Sequence, residues 1–313
     1  MKLSVVVPTR NRPRELATLL ANLAEQTRWP DDVTIVDGSD EEFCPEIRRL
    51  AAASGLSCRY LRHWPPSAAA QRNAGLDAVL PGCDLVALID DDLTLNPQAF
   101  EIACRESARL GEEFVGLGFN PTEDEARIGY GALKSTGLAR SLGLYSDRVG
   151  AITPSGWHTR LLFVDRLTEV DWLLSGAVVW RVAAIRDLRF DEFFEQYSYL
   201  EDLEFSLQAR RRGRFAILPE ATYLHVPAEG GRKSRFWFGR IEIRNRHYIV
   251  RKHGLSRWQF WLGAGIRTAM TFGGALVGRG EDAGRLRGNL AEVLSMIGNR
   301  TRTLFRTDRT ATS

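Results

Sequence analysis

The chain has 313 residues, 44% of them hydrophobic and 26% charged, with a formal net charge of +3. These values fit a globular protein with one large α/β domain, alone or with an appendage, and exclude disordered, collagen-like and small disulfide-stapled chains. The charge is unevenly spread: residues 232–313 hold 17 Lys/Arg against 5 Asp/Glu, whereas residues 1–231 hold 25 against 34. A slightly acidic body, 1–231, is expected to carry a basic tail, 232–313, with a different task.

Leu3–Val7 is a continuous β-branched run, as in a strand buried on both faces, and Pro8-Thr9 ends it. Asn11 can cap a following helix in which Pro13 suits the first turn and Leu16, Leu19, Leu20 and Leu23 recur at helical spacing. Val33–Val36 reads as a second strand ended by Asp37-Gly38-Ser39, and Cys58–Leu61 as a third. Ala68–Val79 reads as a helix, and Leu85–Ile89 as a fourth strand ended by Asp90-Asp91-Asp92. This alternation implies βαβ units and a parallel sheet, with ligands at the carboxyl ends of the strands.

Beyond it, 116–130 and 138–157 read as loops and short strands. Trp172–Trp180 reads as a strand with a Ser-Gly break, and Asp202–Arg212 as a helix. Phe215–Leu218 and Thr222–Val226 read as short strands, with a boundary near Gly230-Gly231. The four cysteines have no metal-ligand spacing and are expected to be buried free thiols. The N-terminal apolar run is too short for a signal peptide, so a cytoplasmic start is expected.

The strongest chemical signal is Asp90-Asp91-Asp92. Adjacent carboxylates repel one another, and a hard divalent cation bound to phosphate oxygens relieves that repulsion. A solvated acidic turn, or the cap of a helix from Leu93, is the plain alternative. Glu201-Asp202 opens a helix, where a carboxylate either caps the helix or accepts a proton from an attacking hydroxyl.

In order, VVVPTRNRP, VDGSD, QRNAGL, LIDDDL, SGAVVWR, FDEFF…LEDLEFSLQARRRG and YLHV resemble the motif series of family-2 glycosyltransferases, from Leu3 to about His225. The resemblance implies a GT-A fold: a Rossmann-like mixed sheet flanked by helices, binding a nucleotide sugar, here with a basic helical extension. It implies inverting transfer with Mn²⁺ or Mg²⁺. Asp202 falls at the position of the catalytic base. Pro8, Thr9, Arg10, Asp37, Arg72, Asn73, Asp90 and Asp91 fall on the nucleotide-sugar side, with Asp37 facing a uracil or thymine ring. Asp92, Asp90 and His225 fall at the metal, and Trp172, Gly176 and Glu201 on the acceptor side. Trp157 and Tyr199 are further candidates for stacking on sugars. The family's second Asp before Asp37 is here Val36, and its Arg six residues after Asp202 is here Gln208.

The tail interleaves basic and aromatic residues. On a helical wheel Trp258, Trp261, Leu262, Gly265, Ile266, Ala269 and Leu276 share one side, opposite Arg267. In a further helix Leu286, Leu290, Val293, Leu294 and Ile297 share a face. Packing on the body, docking on an anionic membrane surface and a membrane span over Trp258–Gly278 are the three readings, and homo-oligomerisation is also open. RNRHYIVRKHG resembles the tails of rhamnosyltransferase-like members that build bacterial surface glycans on lipid-linked acceptors. That resemblance implies a peripheral place at the inner face of the cell membrane. Two rival functions are a nucleotidyltransferase acting on sugar phosphates and a nucleic-acid binder using the tail. The first lacks a Gly-rich phosphate loop, and the second is opposed by the acidic body, so no nucleic acid is expected as partner.

Overall fold

The structure is a computed structural model that describes residues 1–122, 136–194, 198–226, 234–277 and 280–307. The Gly230-Gly231 boundary lies outside them. Two compact units are present. The first comprises Met1–Ser135, Ser146–Ile152 and His158–Glu229, the second Thr136–Tyr145, Thr153–Trp157 and Gly230–Ser313.

The first unit is built on β1 (Leu3–Thr9), β2 (Asp32–Asp37), β3 (Cys58–Arg62), β4 (Leu85–Ile89), β5 (Leu93–Leu95), β6 (Phe114–Pro121), β7 (Thr168–Val170), β8 (Ala177–Arg181) and β9 (Arg214–His225). Its helices are α1 (Pro13–Ala24), α2 (Cys44–Ala53), α3 (Ala68–Asp77), α4 (Ala99–Leu110), α6 (Val182–Ile185) and α7 (Glu201–Ala209). A short α5 (Gly137–Ser141) belongs to the second unit. The strands form one sheet in the order β3-β2-β1-β4-β8-β6-β9-β5, with β7 pairing β9. The β3-β2-β1-β4 half is parallel, β8 runs antiparallel to β4 and β6, and β6 pairs β9 in parallel, so the sheet is mixed.

Every residue of β1, β2 and β4 is buried, as expected where helices cover both faces of a sheet. One apolar cluster joins Val5, Val7, Leu16, Leu19, Val33 and Ile35, and a second lies around Val6, Val86, Trp180, Phe205 and Phe215.

Several expectations are corrected. Leu93–Leu95 is a strand, because Leu93 pairs with His225 and Leu95 with Tyr223. Residues 214–225 form one strand, its β6 pairing shifted in register between Phe119 and Asn120. In the 172–180 segment only Ala177 onward is strand. Asn11 does not cap α1. It has φ +55° and exchanges two side-chain bonds with Asp40, donating at 2.7 Å and accepting at 2.8 Å. The cysteines are free but only partly buried.

The second unit contains α8 (Arg235–Lys252), α9 (Arg257–Leu276) and α10 (Gly280–Thr307). Gly239 and Gly288 let α8 and α10 meet backbone to backbone: a Cβ on Gly288 would stand 2.0 Å from the Phe236 carbonyl oxygen. Ile243, Val250, Phe260 and Ala264 form the core, with Trp157 against it. Among the described residues no helix is long and apolar enough to cross a membrane, which removes the membrane span over Trp258–Gly278.

Candidate active site

The carboxyl ends of β1, β2 and β4, the turn after β4, the start of α7 and the end of β9 carry most of the candidate residues. At the centre is Arg72 on α3. Its guanidinium is buried and bridges two carboxylates: Nη2 donates to Asp90 Oδ1 at 2.6 Å, and Nη1 donates to Glu201 Oε1. Burial alone would lower its pKa, but Asp90 and Glu201 outweigh burial and raise it. The Phe190 ring lies under the guanidinium, 5.7 Å from centroid to Cζ, and is stacked on Phe205 at 4.1 Å.

Glu201 and Asp202 open α7 after a turn with left-handed backbone at Ser198 (φ +47°) and Leu200 (φ +73°). Side chains rarely adopt that conformation, and its cost is met where a turn aims functional groups. Burial pushes the Glu201 carboxyl up to about 7 against the opposing Arg72 charge, and among the described residues its Oε2 has no hydrogen-bond partner. Burial also pushes Asp202 up to about 6, although its Oδ1 accepts from the Leu203 N–H at 2.7 Å. A carboxyl in that range takes up and releases a proton near neutrality.

The three aspartates divide their work. Asp90 stays partly exposed, and its N–H donates to the Gly176 carbonyl at 2.9 Å. A Cβ on Gly176 would stand 2.1 Å from Asp90 Oδ2, so only glycine leaves that carboxylate its place. Asp91 is buried: it accepts from Thr9 Oγ1 at 2.7 Å and from Arg12 Nη1 at 3.0 Å. Burial raises its carboxyl to about 6. Asp91 therefore ties β1 to the turn and does not face a donor. Asp92 Oδ2 lies 3.4 Å from His225 Nε2 and 3.1 Å from Arg12 Nη1. Burial opposes its charge, but His225 and Arg12 hold it below the usual carboxylate range.

Asp92 and His225 thus offer a carboxylate oxygen and an imidazole nitrogen, donors that suit Mn²⁺. Asp90, expected as a further ligand, has one carboxylate oxygen, Oδ1, engaged by Arg72. Among the described residues no three His, Cys, Asp or Glu side chains gather as a closed metal set. A two-ligand site completed by phosphate oxygens matches how such cations are held beside diphosphates.

Other expected residues turn out to be struts. Asp37 is fully buried, with Oδ1 accepting from the Ser39 N–H at 2.8 Å and Oδ2 from the Tyr60 hydroxyl at 2.7 Å, which fixes its carboxylate at the end of β2. Asn73 spends its amide on Phe190, accepting from its N–H at 2.7 Å and donating to its carbonyl at 2.9 Å. Trp172 is buried and donates its indole N–H to the Thr159 carbonyl at 3.0 Å, so it is no sugar platform. Trp157 lies in the second unit, 5.9 Å from Phe260. Pro8 is buried in β1, while Arg10 is exposed just beyond it. Gln208 donates to Glu204 Oε2 at 2.8 Å and to the Arg189 carbonyl at 3.1 Å, which keeps it within its own helix and the neighbouring loop.

Two residues were missed from the sequence. Gln71 is buried and its Nε2 donates to the Thr9 carbonyl at 2.9 Å and the Val36 carbonyl at 2.8 Å, clamping the ends of β1 and β2. Its position next to Arg72 was the one available signal. Arg12 stands within VVVPTRNRP but was given no role, since a surface arginine and a carboxylate clamp look alike in a sequence.

Residues 4–147 match the family model described as Glycosyl transferase family 2. A hyaluronan synthase of Pasteurella multocida is 39% identical over 99 residues, 30% of this chain and 10% of that one. Galactofuranosyltransferase GlfT1 of Mycobacterium tuberculosis is 34% identical over 119 residues, 34% of this chain and 36% of that one. The chain thus matches about a third or less of these relatives. Mannosyltransferase PcManGT from Pyrobaculum calidifontis, solved with GDP-Man and Mn²⁺, shares the fold with TM-score 0.54 and 14% identity, covering 99% of this chain and 80% of that one. The motif series, the mixed sheet and these matches agree: residues 4–147 are similar to glycosyltransferase family 2, and the chain has a GT-A fold shared with solved glycosyltransferases.

Proposed function

We propose that the protein is an inverting glycosyltransferase. It moves a sugar from a nucleoside-diphosphate sugar, UDP- or dTDP-linked, to a hydroxyl of a glycan or lipid-linked acceptor in surface-glycan assembly. The observation that carries this reading is the Arg72 bridge, which joins the donor-side carboxylate Asp90 to the turn that presents Asp202. Asp202, raised to about 6, is ionised at neutral pH and basic enough to take the acceptor proton. The acceptor oxygen forms its bond to the anomeric carbon as the bond to the diphosphate breaks. The electron pair leaves with the diphosphate, and the proton goes to Asp202. Attack from the face opposite the leaving group inverts the anomeric centre without a covalent intermediate.

Asp92 and His225 would hold Mn²⁺ or Mg²⁺, whose charge stabilises the departing diphosphate. Arg12 supplies positive charge at the same turn, and Arg72 keeps Asp90 oriented beside Gly176. The basic region 232–313 brings the protein to the anionic inner face of the membrane, where a lipid-linked acceptor is found.

Incubating the purified chain with UDP- and dTDP-sugars, Mn²⁺ and candidate acceptors tests the reading. Release of nucleoside diphosphate and a product of inverted anomeric configuration by NMR is expected. Release of pyrophosphate, or retention of configuration, overturns it.

A further inference from the structure

In the second unit the structure decides which side of α9 faces inward. Arg267, placed by the helical wheel opposite the apolar side of α9, points inward. Its Nε donates to Glu242 Oε1 on α8 at 3.1 Å, and Arg285 on α10 donates to the same carboxylate at 2.6 and 2.9 Å. Glu242 is buried, and burial opposes its charge, yet Arg285 and Arg267 hold its carboxyl below the usual range.

The outward face of α9 is correspondingly uncharged. Trp258, Leu262, Ile266, Phe272, Leu276 and Val277 are exposed, Trp258 at 61% and Leu276 at 71%. The positions between them on the same face are Gly265, Ala269 and Gly273, also exposed. At 100° per residue these positions fill an arc of roughly 140° over about 28 Å of helix, with no ionisable side chain in it. On α10, Leu290, Leu294 and Ile297 add a second exposed apolar stripe. A soluble surface rarely leaves apolar side chains so continuous, and such faces mark sites of contact.

The charge around this face selects the occupant. Between residues 234 and 280 the sole acidic residue is Glu242, which is buried. Arg235, Arg251, Lys252 and Arg257 are all exposed, the last three within seven residues of Trp258. A second copy of this surface would bring these cations against one another, whereas anionic headgroups neutralise them. Tryptophan beside arginine at a helix end is the arrangement that sits at a headgroup boundary.

We propose that the Trp258–Val277 face of α9 inserts in the plane of an anionic bilayer surface, with the Glu242–Arg267–Arg285 cluster keeping the mid-helix Arg267 turned away from lipid. This deepens the membrane placement in the functional reading above and rests on it. The test uses the full chain and vesicles of phosphatidylglycerol with phosphatidylcholine, or of phosphatidylcholine alone. The wild-type chain is expected to cosediment with the anionic vesicles. Leu262→Glu/Ile266→Glu, both at exposed positions, is expected to reduce the bound fraction at least tenfold with an unchanged circular dichroism spectrum. Brominated lipid should quench tryptophan emission, and Trp258→Phe should remove much of that quenching.

Unchanged binding by the double variant overturns the proposal. So does a wild-type chain that ignores vesicles and forms a dimer that the double variant dissociates, because the face then belongs to a second copy. Turnover with a water-soluble acceptor, followed in parallel, separates this proposal from the enzymatic one: vesicle binding lost with turnover retained in the double variant supports the docking face.

Discussion

The Arg72 guanidinium donates to the Asp90 carboxylate at 2.6 Å at the carboxyl ends of the strands, from a helix that follows β3 to the turn that ends β4. Asp90 is partly exposed and Arg72 is not, so the interaction holds a surface carboxylate from below. The other side of the same guanidinium is committed to Glu201, which makes the geometry of the donor side depend on that of α7. Four predictions rest on this network and its neighbours.

Arg72→Met should both destabilise the protein and silence it. Removing one partner of a buried pair leaves Glu201 uncompensated, which costs about 3–5 kcal/mol. Arg72→Met/Glu201→Gln should recover much of that stability, since the second substitution removes the stranded charge, but should not recover turnover. Chemical denaturation and steady-state kinetics on the four members of the cycle measure both. Full additivity in stability would show that the two side chains are not coupled.

Asp202→Asn should lower turnover at least about 100-fold with nearly unchanged donor affinity, because the amide keeps the shape of the side chain but takes no proton. The pH dependence has a definite sign. Asp202 and Glu201 are raised to about 6 and about 7, so both lose their charge as pH falls. Turnover in the native protein should therefore fall below pH 6–7 and level off above it, with an apparent value that belongs to the pair. Glu201→Gln should move that limb to lower pH, by removing one negative neighbour. A flat profile between pH 5 and 8 in the native protein would remove Asp202 as the base.

Gly176→Ala offers a sharper separation of fold from function. The added methyl would stand 2.1 Å from Asp90 Oδ2 and 2.2 Å from its Cγ, both atoms of a side chain that can rotate. The melting temperature should change little, while Asp90 leaves Arg72 and donor affinity drops. Calorimetric titration with a nucleoside diphosphate and Mn²⁺ reads the affinity; native-like affinity would mean that Asp90 does not need this position.

Metal dependence should reside in Asp92 and His225. Asp92→Asn and His225→Ala are each expected to weaken Mn²⁺-supported binding of nucleoside diphosphate by at least about tenfold, with little effect on binding measured in chelator. Equal affinity with and without chelator in the native protein would sink the metal assignment altogether.

The first half of the fold was legible because its signals are local. Leu3–Val7, Val33–Val36 and Leu85–Ile89 are apolar runs of strand length, and each ends in a residue type that stops a strand, so β1, β2 and β4 follow from neighbouring residues alone. The helix expected from Ala68 matches α3 for the same reason. β5 was not legible: Leu93-Thr94-Leu95 is too short to declare a conformation, and its state is decided by pairing with Tyr223–His225, about 130 residues away. The antiparallel insertion of β8 between β4 and β6 is likewise a matter of long-range register.

At the site the sequence by itself determined which residue types stand at the strand ends and at the start of α7, because chemistry at those places needs carboxylates, an arginine and a histidine. It could not assign their duties. Asp90, Asp91 and Asp92 are identical in composition and adjacent in sequence. Only the tertiary structure makes Asp91 a buried strut under Thr9, Asp92 a partner of His225, and Asp90 a partner of Arg72. The same holds in the second unit. Periodicity placed Arg267 opposite the apolar face of α9, but not which face would be inside. That choice was made by Glu242 on another helix, since a buried carboxylate must draw its counter-charges inward wherever they lie in the sequence.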